Sequence, residues 1–330
     1  MSFGNYCKAM KDTRLRSNSP SIGTVSSLAS HLGIPEGALL EVANSVDDHW
    51  RPGKKIKKKG GGFRETNSAT PELKSIHKRI NAAILRRVYY PDYLYGSIPK
   101  SLEFGARDHV ANAKLHSGRR FLITTDIKGY FPSITDTVVR SIWQGFFPFG
   151  PEVAEVLTKL TVHNGSLPQG WACSSYLAQL VFWRQEPDLV SALRIQGIYY
   201  SRLTDDISLS TNKSFSASEV TDLMRKLIGM LRSRRTIIHR GKTRVAAPSR
   251  RQVVNNVNIS LGRLTLSQEY RKTLRARVHR LSADPQRYGG GLAREIQSAT
   301  SQVLYLKRFH HKEAKRLAAQ IKQLELSLTE

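Results

Sequence analysis

Asp205 and Asp206 stand side by side between two stretches that favour extended backbone, residues 198–200 and 207–209. Such a pattern predicts a β-hairpin with two carboxylates at its tip. Neighbouring carboxylates repel unless solvent, a proton or a cation relieves them. A solvated turn would show the same pair, since Asp is common in turns. The productive alternative is a divalent cation, because Mg²⁺ is held by one or two carboxylates plus substrate phosphate oxygens. That chemistry needs a third carboxylate. Asp126 ends the apolar, β-branched run Phe121-Leu122-Ile123-Thr124-Thr125, which places it at the end of a buried strand. Converging on two metal ions, the three could activate a 3′-hydroxyl, stabilise an in-line phosphoryl transfer and support a pyrophosphate leaving group.

Carboxylates from two distant segments need a sheet to bring them together. Residues 121–126 and the hairpin supply its strands. An amphipathic helix over 216–232, with Val220, Leu223, Leu227, Met230 and Leu231 on one face, returns across it in a split β-α-β arrangement. Apolar periodicity predicts further helices over 35–43, 75–88, 135–147, 151–162 and 173–193. Leu167-Pro168-Gln169-Gly170 is a tight turn before the last of these. Residues 236–244 read as extended, ending in a basic cluster. Thr265-Leu266-Ser267-Gln268 reads as a capping box opening a helix to about residue 281. Leu266, Tyr270, Leu274, Val278 and Leu281 form its buried stripe, while Arg271, Lys272, Arg275, Arg277 and Arg280 face outward with almost no acidic compensation. Helices over 292–308 and 312–326 complete the chain. Near the start, six of the nine positions 51–59 are basic and a triglycine follows. This is either a solvated basic loop or a hairpin that folds over a triphosphate, with glycines allowing close approach and Lys and Arg binding phosphate.

The series Asp126-x-x-x-Tyr130-Phe131-Pro132-Ser133-Ile134, Leu167-Pro168-Gln169-Gly170 and Asp205-Asp206, in this order and spacing, resembles the palm of a reverse transcriptase. With Asn112-Ala113-Lys114-Leu115-His116 before the first strand, it is most similar to the bacterial retron enzymes. The resemblance implies an α+β, right-hand polymerase fold with fingers, ferredoxin-like palm and helical thumb. Its divisions would be a helical lead-in (1–50), fingers (51–118), palm (119–250, with fingers elements between 140 and 165) and a thumb with RNA-binding region (251–330). It also implies catalytic Asp126, Asp205 and Asp206, and two Mg²⁺ ions (Mn²⁺ as a substitute) on Asp126, Ile127, Asp205 and Asp206. Nucleotide contacts would come from Lys58, Arg64, Phe131, Gln169 and Lys242. Phe131 would be the gate that clashes with a 2′-hydroxyl, and Lys242 a proton donor to pyrophosphate; the plain alternatives are a core aromatic and a surface lysine. RNA contacts would come from Asn112, His116, Arg271, Arg275 and Arg280; from spacing alone the Asn112–His116 pair reads as structural hydrogen bonding and the arginines as a solvated face. The implied partners are a structured noncoding RNA, its cDNA, dNTPs and an effector protein. Priming from a guanosine 2′-hydroxyl would give RNA-linked DNA used in anti-phage defence. A non-retron bacterial reverse transcriptase, of the group II intron or another defence type, and a catalytically degenerate RNA-binding protein are the rival readings. Departures from the family pattern are Gly129, Trp171, Cys173, Leu203-Thr204 in place of aromatic-Ala, and Asn255-Asn256 in place of Thr-Gly.

Composition agrees with a nucleic-acid partner. The 330 residues carry 52 Lys and Arg against 26 Asp and Glu, a formal charge of +26. So large an excess repels itself unless a polyanion neutralises it. An anionic membrane is the other polyanion, but no apolar run is long enough to span a bilayer and no signal-peptide core opens the chain. The two cysteines, Cys7 and Cys173, offer neither zinc spacing nor a disulfide framework. A cytoplasmic protein is expected.

Overall fold

Phe121–Asp126 is buried at most of its positions, and its pairing organises the structure around it. The computed structural model describes residues 12–57 and 61–328. The chain divides into two units, residues up to 112 with 120–245, and residues 113–119 with those from 246 on. In the first unit α1 (Val25–Leu32) and α2 (Glu36–Asn44) precede a hairpin of β1 (Trp50–Lys57) and β2 (Phe63–Ala69). Next come α3 (Pro71–Ala83), β3 (Leu94–Tyr95) and α4 (His109–His116), whose residues fall in both units. After β4 (Phe121–Asp126) the chain runs through α5 (Asp136–Gly145), α6 (Pro151–Thr161), α7 (Ser174–Leu180) and α8 (Glu186–Ile195). The unit ends with β5 (Tyr199–Leu203), β6 (Asp206–Thr211), α9 (Ala217–Arg232) and β7 (Arg244–Ala246).

These strands form one sheet in the order β3-β5-β6-β4-β7. Without the two-residue β3, the strands β4, β5, β6 and β7 stand in the order 4-1-3-2, with helices after the first and third. That is the ferredoxin-like β-α-β-β-α-β arrangement, and it bears out the expected α+β class. Antiparallel pairing of β6 with both β4 and β5 places the carboxylate-bearing ends together. Ile123, Ile207 and Leu209 enter a core shared with α3, α5, α6, α7 and α9. Helix α9 starts at a full capping box, Ser216 and Glu219 each bonding the other's backbone, a feature that contributes about 1 kcal/mol.

Several boundaries differ from expectation for local reasons. The helix expected over 173–193 is two helices, because Pro187 lacks an N–H and its ring would clash with the carbonyl four residues back; it sits instead in the first turn of α8. Helix α3 begins at Pro71 rather than at 75 and stops at Ala83, freeing Val88 and Tyr89 to pair with Ser17 and Arg16. Only part of 236–244 is extended: Ile238 bridges to Ile127, and residues 240–242 form a 3₁₀ turn.

The second unit has a short hairpin, β8 (Val253–Val254) and β9 (Val257–Asn258), and three helices, α10 (Gln268–Ala283), α11 (Leu292–Lys307) and α12 (His311–Ser327). Asn255 and Asn256 are the two turn residues of the hairpin, both with positive φ (47° and 65°). Asn tolerates that conformation better than other side-chain-bearing residues, which accounts for the Asn-Asn pair. Helix α10 is capped by Ser267, whose hydroxyl accepts from the Tyr270 N–H, so the box expected at Thr265 is shifted. Its stripe of Leu266, Leu274, Val278 and Leu281 packs with Ile296, Val303, Leu317 and Ile321 in a separate core. Among the described residues no helix is long and apolar enough to cross a membrane.

Candidate active site

Asp126, the last residue of β4, lies directly across the sheet from Asp206, the first of β6. Residues directly opposite share a face, so both carboxylates rise from one side of the sheet end. Asp205 precedes Asp206 in the two-residue turn, and its carbonyl accepts from the Ile127 N–H at 3.0 Å. The turn's first residue, Thr204, has φ +59°, a conformation costly for a β-branched side chain. A third segment closes on the site. The His239 N–H donates to the Asp126 carbonyl at 2.7 Å, and the following turn brings the Lys242 ammonium to 2.9 Å from Asp126 Oδ2. The ion pair is unequal: Lys242 is more than half exposed, whereas Asp126 is 8% exposed.

Among the described residues no three His, Cys, Asp or Glu side chains are gathered closely enough to hold a metal by themselves. The donors nonetheless fit a hard cation. All are oxygens, three carboxylates of which two are register partners together with the Ile127 carbonyl, and Mg²⁺ takes its remaining ligands from water and substrate phosphate. Lys242 already supplies a positive charge to Asp126. The Ile127 side chain is buried in the core, which leaves its main-chain carbonyl as the only ligand it can offer.

Gly129, with φ +56°, turns the chain from β4 into the single helical turn Tyr130–Ser133. That left-handed bend suits glycine and accounts for its presence. Tyr130 is a core residue: it is 2% exposed, stacks on Phe182 and donates to the Ala178 carbonyl at 2.6 Å. Phe131 meets Tyr130 edge-on and remains partly exposed. Gln169 lies in a turn docked on β2, its carbonyl accepting from the Asn67 N–H at 2.6 Å. A Cβ on Gly170 would sit 2.4 Å from the Asn67 carbonyl, so only glycine permits this approach. Trp171 and Cys173 are both buried. The Trp171 indole N–H donates to the Ser68 carbonyl, and burial pushes the Cys173 thiol pKa far up, leaving it inert. Arg64 lies on β2 in register with Ile56, and Lys58 falls outside the described residues.

No family model matches the chain. It is 33% identical over 267 residues to the retron Se72 reverse transcriptase of Salmonella heidelberg (strain 579083-10), covering 80% of this chain and 69% of that protein. The chain belongs to the retron reverse transcriptases. It is also 28% identical to the retron Ec48 reverse transcriptase of Escherichia coli, over 89% of this chain and 71% of that one. Among solved structures, telomerase from Candida albicans aligns at 11% identity with a TM-score of 0.47, over 83% of this chain and 63% of that chain. As a retron reverse transcriptase the chain is an RNA-directed DNA polymerase.

Two groups expected to contact RNA are engaged within the protein. Asn112 and His116 lie on α4 as expected and are both fully buried, which favours the structural reading of the pair. Burial, with Arg119 nearby, pushes the His116 pKa down to about 3. The cations of α10 are also less bare than they read. Arg271 and Arg275 both bind Glu313 of α12, and Arg277 binds Glu295 of α11. Acidic partners 18 to 42 residues away were invisible along α10 itself. Sequence reasoning also missed Arg202 and Glu186, a fully buried ion pair beneath the hairpin. The available signal was strand alternation, which puts Arg202 on the same inward face as Tyr200.

Proposed function

We propose that this enzyme copies a structured noncoding RNA into RNA-linked single-stranded DNA, using two Mg²⁺ ions held by Asp126, Asp205, Asp206 and the Ile127 carbonyl. The observation that carries this reading is the register pairing of Asp126 with Asp206 beside Asp205, in a chain that belongs to the retron reverse transcriptases. When bound, the two metal ions supply the Lewis acidity that activates a hydroxyl nucleophile and offsets charge on the triphosphate. The protein's own residues do the rest. Lys242, poised on Asp126, donates a proton to the departing pyrophosphate. Phe131 lies under the incoming sugar and excludes a 2′-hydroxyl. Gln169, with Lys58 and Arg64 of the basic hairpin, orients the nucleotide and its phosphates. In this reading residues 51–118 act as fingers, 119–250 as palm and 251–330 as the thumb that holds the RNA through Arg280 and its neighbours. Priming from a guanosine 2′-hydroxyl, a role in anti-phage defence with an effector protein, and a cytoplasmic setting follow from the retron kinship.

Primer extension on an RNA template is the test. Asp205→Asn and Asp126→Asn should each abolish DNA synthesis while leaving RNA affinity within about twofold, since each removes one metal-binding charge and no RNA contact. Extension near the wild-type rate by either variant would refute the assignment.

A further inference from the structure

Arg202 and Glu186 are both fully buried and form a two-point ion pair, Nε to Oε1 at 2.6 Å and Nη2 to Oε2 at 2.7 Å. Tyr200 donates to the same Oε1 at 2.6 Å. A buried ion pair seldom stabilises more than apolar residues of the same volume would, so its presence calls for another explanation. The remaining guanidinium bonds supply one. Nη2 also donates to the Gln179 carbonyl at 2.9 Å, while Nη1 donates to the Thr204 carbonyl at 3.0 Å and lies 3.4 Å from the Tyr130 hydroxyl. Thr204 is the residue with left-handed φ at the turn, immediately before Asp205. From the other side it packs on Gly96, where a Cβ would come within 3.2 Å of the Thr204 hydroxyl. One guanidinium thus touches the strained residue before the two hairpin carboxylates and the tyrosine before Phe131.

We infer that the Arg202–Glu186 pair is a positioning device that sets the Asp205-Asp206 turn and the Phe131 segment together, linking metal binding to sugar selection. This rests on the roles proposed above for Asp205 and Asp206 in metal binding and for Phe131 in sugar selection. Partners behind metal ligands of this kind typically change metal affinity or activity by 10–100-fold when removed, and a small misplacement of reacting groups alone can cost about 10²-fold.

Two variants of the full chain test it. The triple substitution Glu186→Leu, Tyr200→Phe, Arg202→Met removes the buried charges together with the hydroxyl that depends on them. Arg202→Lys keeps the charge opposite Glu186 but cannot reach Thr204 at the same time. For both we expect a cooperative melt and unchanged RNA affinity. The Mg²⁺ concentration for half-maximal primer extension should rise about tenfold, and the maximal rate should fall by about 10 to 100-fold. The ratio of ribo- to deoxynucleotide incorporation should rise in parallel. A folded variant with wild-type Mg²⁺ dependence and sugar discrimination would overturn the inference. Loss of the cooperative melt in both variants would overturn it too, because the pair would then serve the fold and not the turn. Asp205→Asn, run alongside, separates this outcome from failure of the metal-binding reading: if that variant extends primers normally, the carboxylate assignment is what fails.

Discussion

Lys242 meets Asp126 from 116 residues further along the chain, and the role proposed for it differs from that of an ordinary surface ion pair. With Lys242 more than half exposed, the pair itself contributes less than about 1 kcal/mol to stability. Its value lies in placing an ammonium beside the carboxylates. Lys242→Met should therefore leave the melting temperature nearly unchanged and slow single-turnover nucleotide addition by about 10²–10⁴-fold, the usual range for a lost general acid. A rate within threefold of wild type would return Lys242 to the status of a surface residue. Phe131 contrasts with its neighbour. Tyr130 is spent on the core, whereas Phe131 is left partly exposed beside the carboxylates' strand. Phe131→Val should raise ribonucleotide incorporation relative to deoxynucleotide by about 10–200-fold, the scale of discrimination by pocket shape. Measured ratios for the two nucleotide classes decide the matter, and an unchanged ratio places the gate elsewhere.

At the scale of elements, the docking of α3 creates a pH dependence. His77 on α3 is fully buried, its Nε2 donating to the Leu160 carbonyl, and burial pushes its pKa down to about 4 despite that bond. The folded protein therefore refuses a proton that the unfolded chain accepts below about pH 6.5. Stability from this site is complete above pH 6.5 and is lost as pH falls toward 4, at up to about 1.4 kcal/mol per pH unit. Urea melts across this window should show His77→Gln, which keeps a donor for Leu160, with a shallower slope than wild type; equal slopes would refute the assignment. The same elements show what was legible beforehand. The strand ending at Asp126, the hairpin and helix α9 were readable because alternation, adjacent acids and an apolar stripe at helical spacing are local signals. The break between α7 and α8 was missed because apolar continuity outweighed one proline. Neither the Arg202–Glu186 pair nor the Trp171 bond to Ser68 could be read, since both join segments by tertiary contact alone. Left-handed Thr204 had no signal at all, because its conformation is held from outside the turn.

For the whole molecule, a charge of +26 must be matched by polyanion, and its distribution argues where. From residue 246 on, 16 Lys and Arg stand against 6 Asp and Glu, a denser excess than the rest of the chain carries. Within this segment Glu313 restrains two cations. Burial alone would raise its carboxyl pKa, yet the bonds from Arg271 and Arg275 hold it below the ordinary range. Arg280, by comparison, is exposed and has no ion-pair partner among the described residues. The three arginines should therefore behave differently when RNA binding is titrated against salt, where each phosphate contact adds about 0.7–0.9 to the slope of log affinity on log salt. Arg280→Gln should lower that slope by about one and leave the melting temperature alone. Arg271→Gln should leave the slope nearly unchanged, because Glu313 already holds that guanidinium, and should destabilise the α10–α12 contact by no more than about 1 kcal/mol for a partly exposed pair. Glu313→Gln is the decisive case, because it deletes no cation and releases two. Affinity for random and structured RNA alike should rise, with the slope steeper by up to about two, while the melting temperature falls. If Glu313→Gln instead loses stability with no change in slope, Arg271 and Arg275 are structural residues, and Arg280 with the uncompensated lysines must carry the RNA.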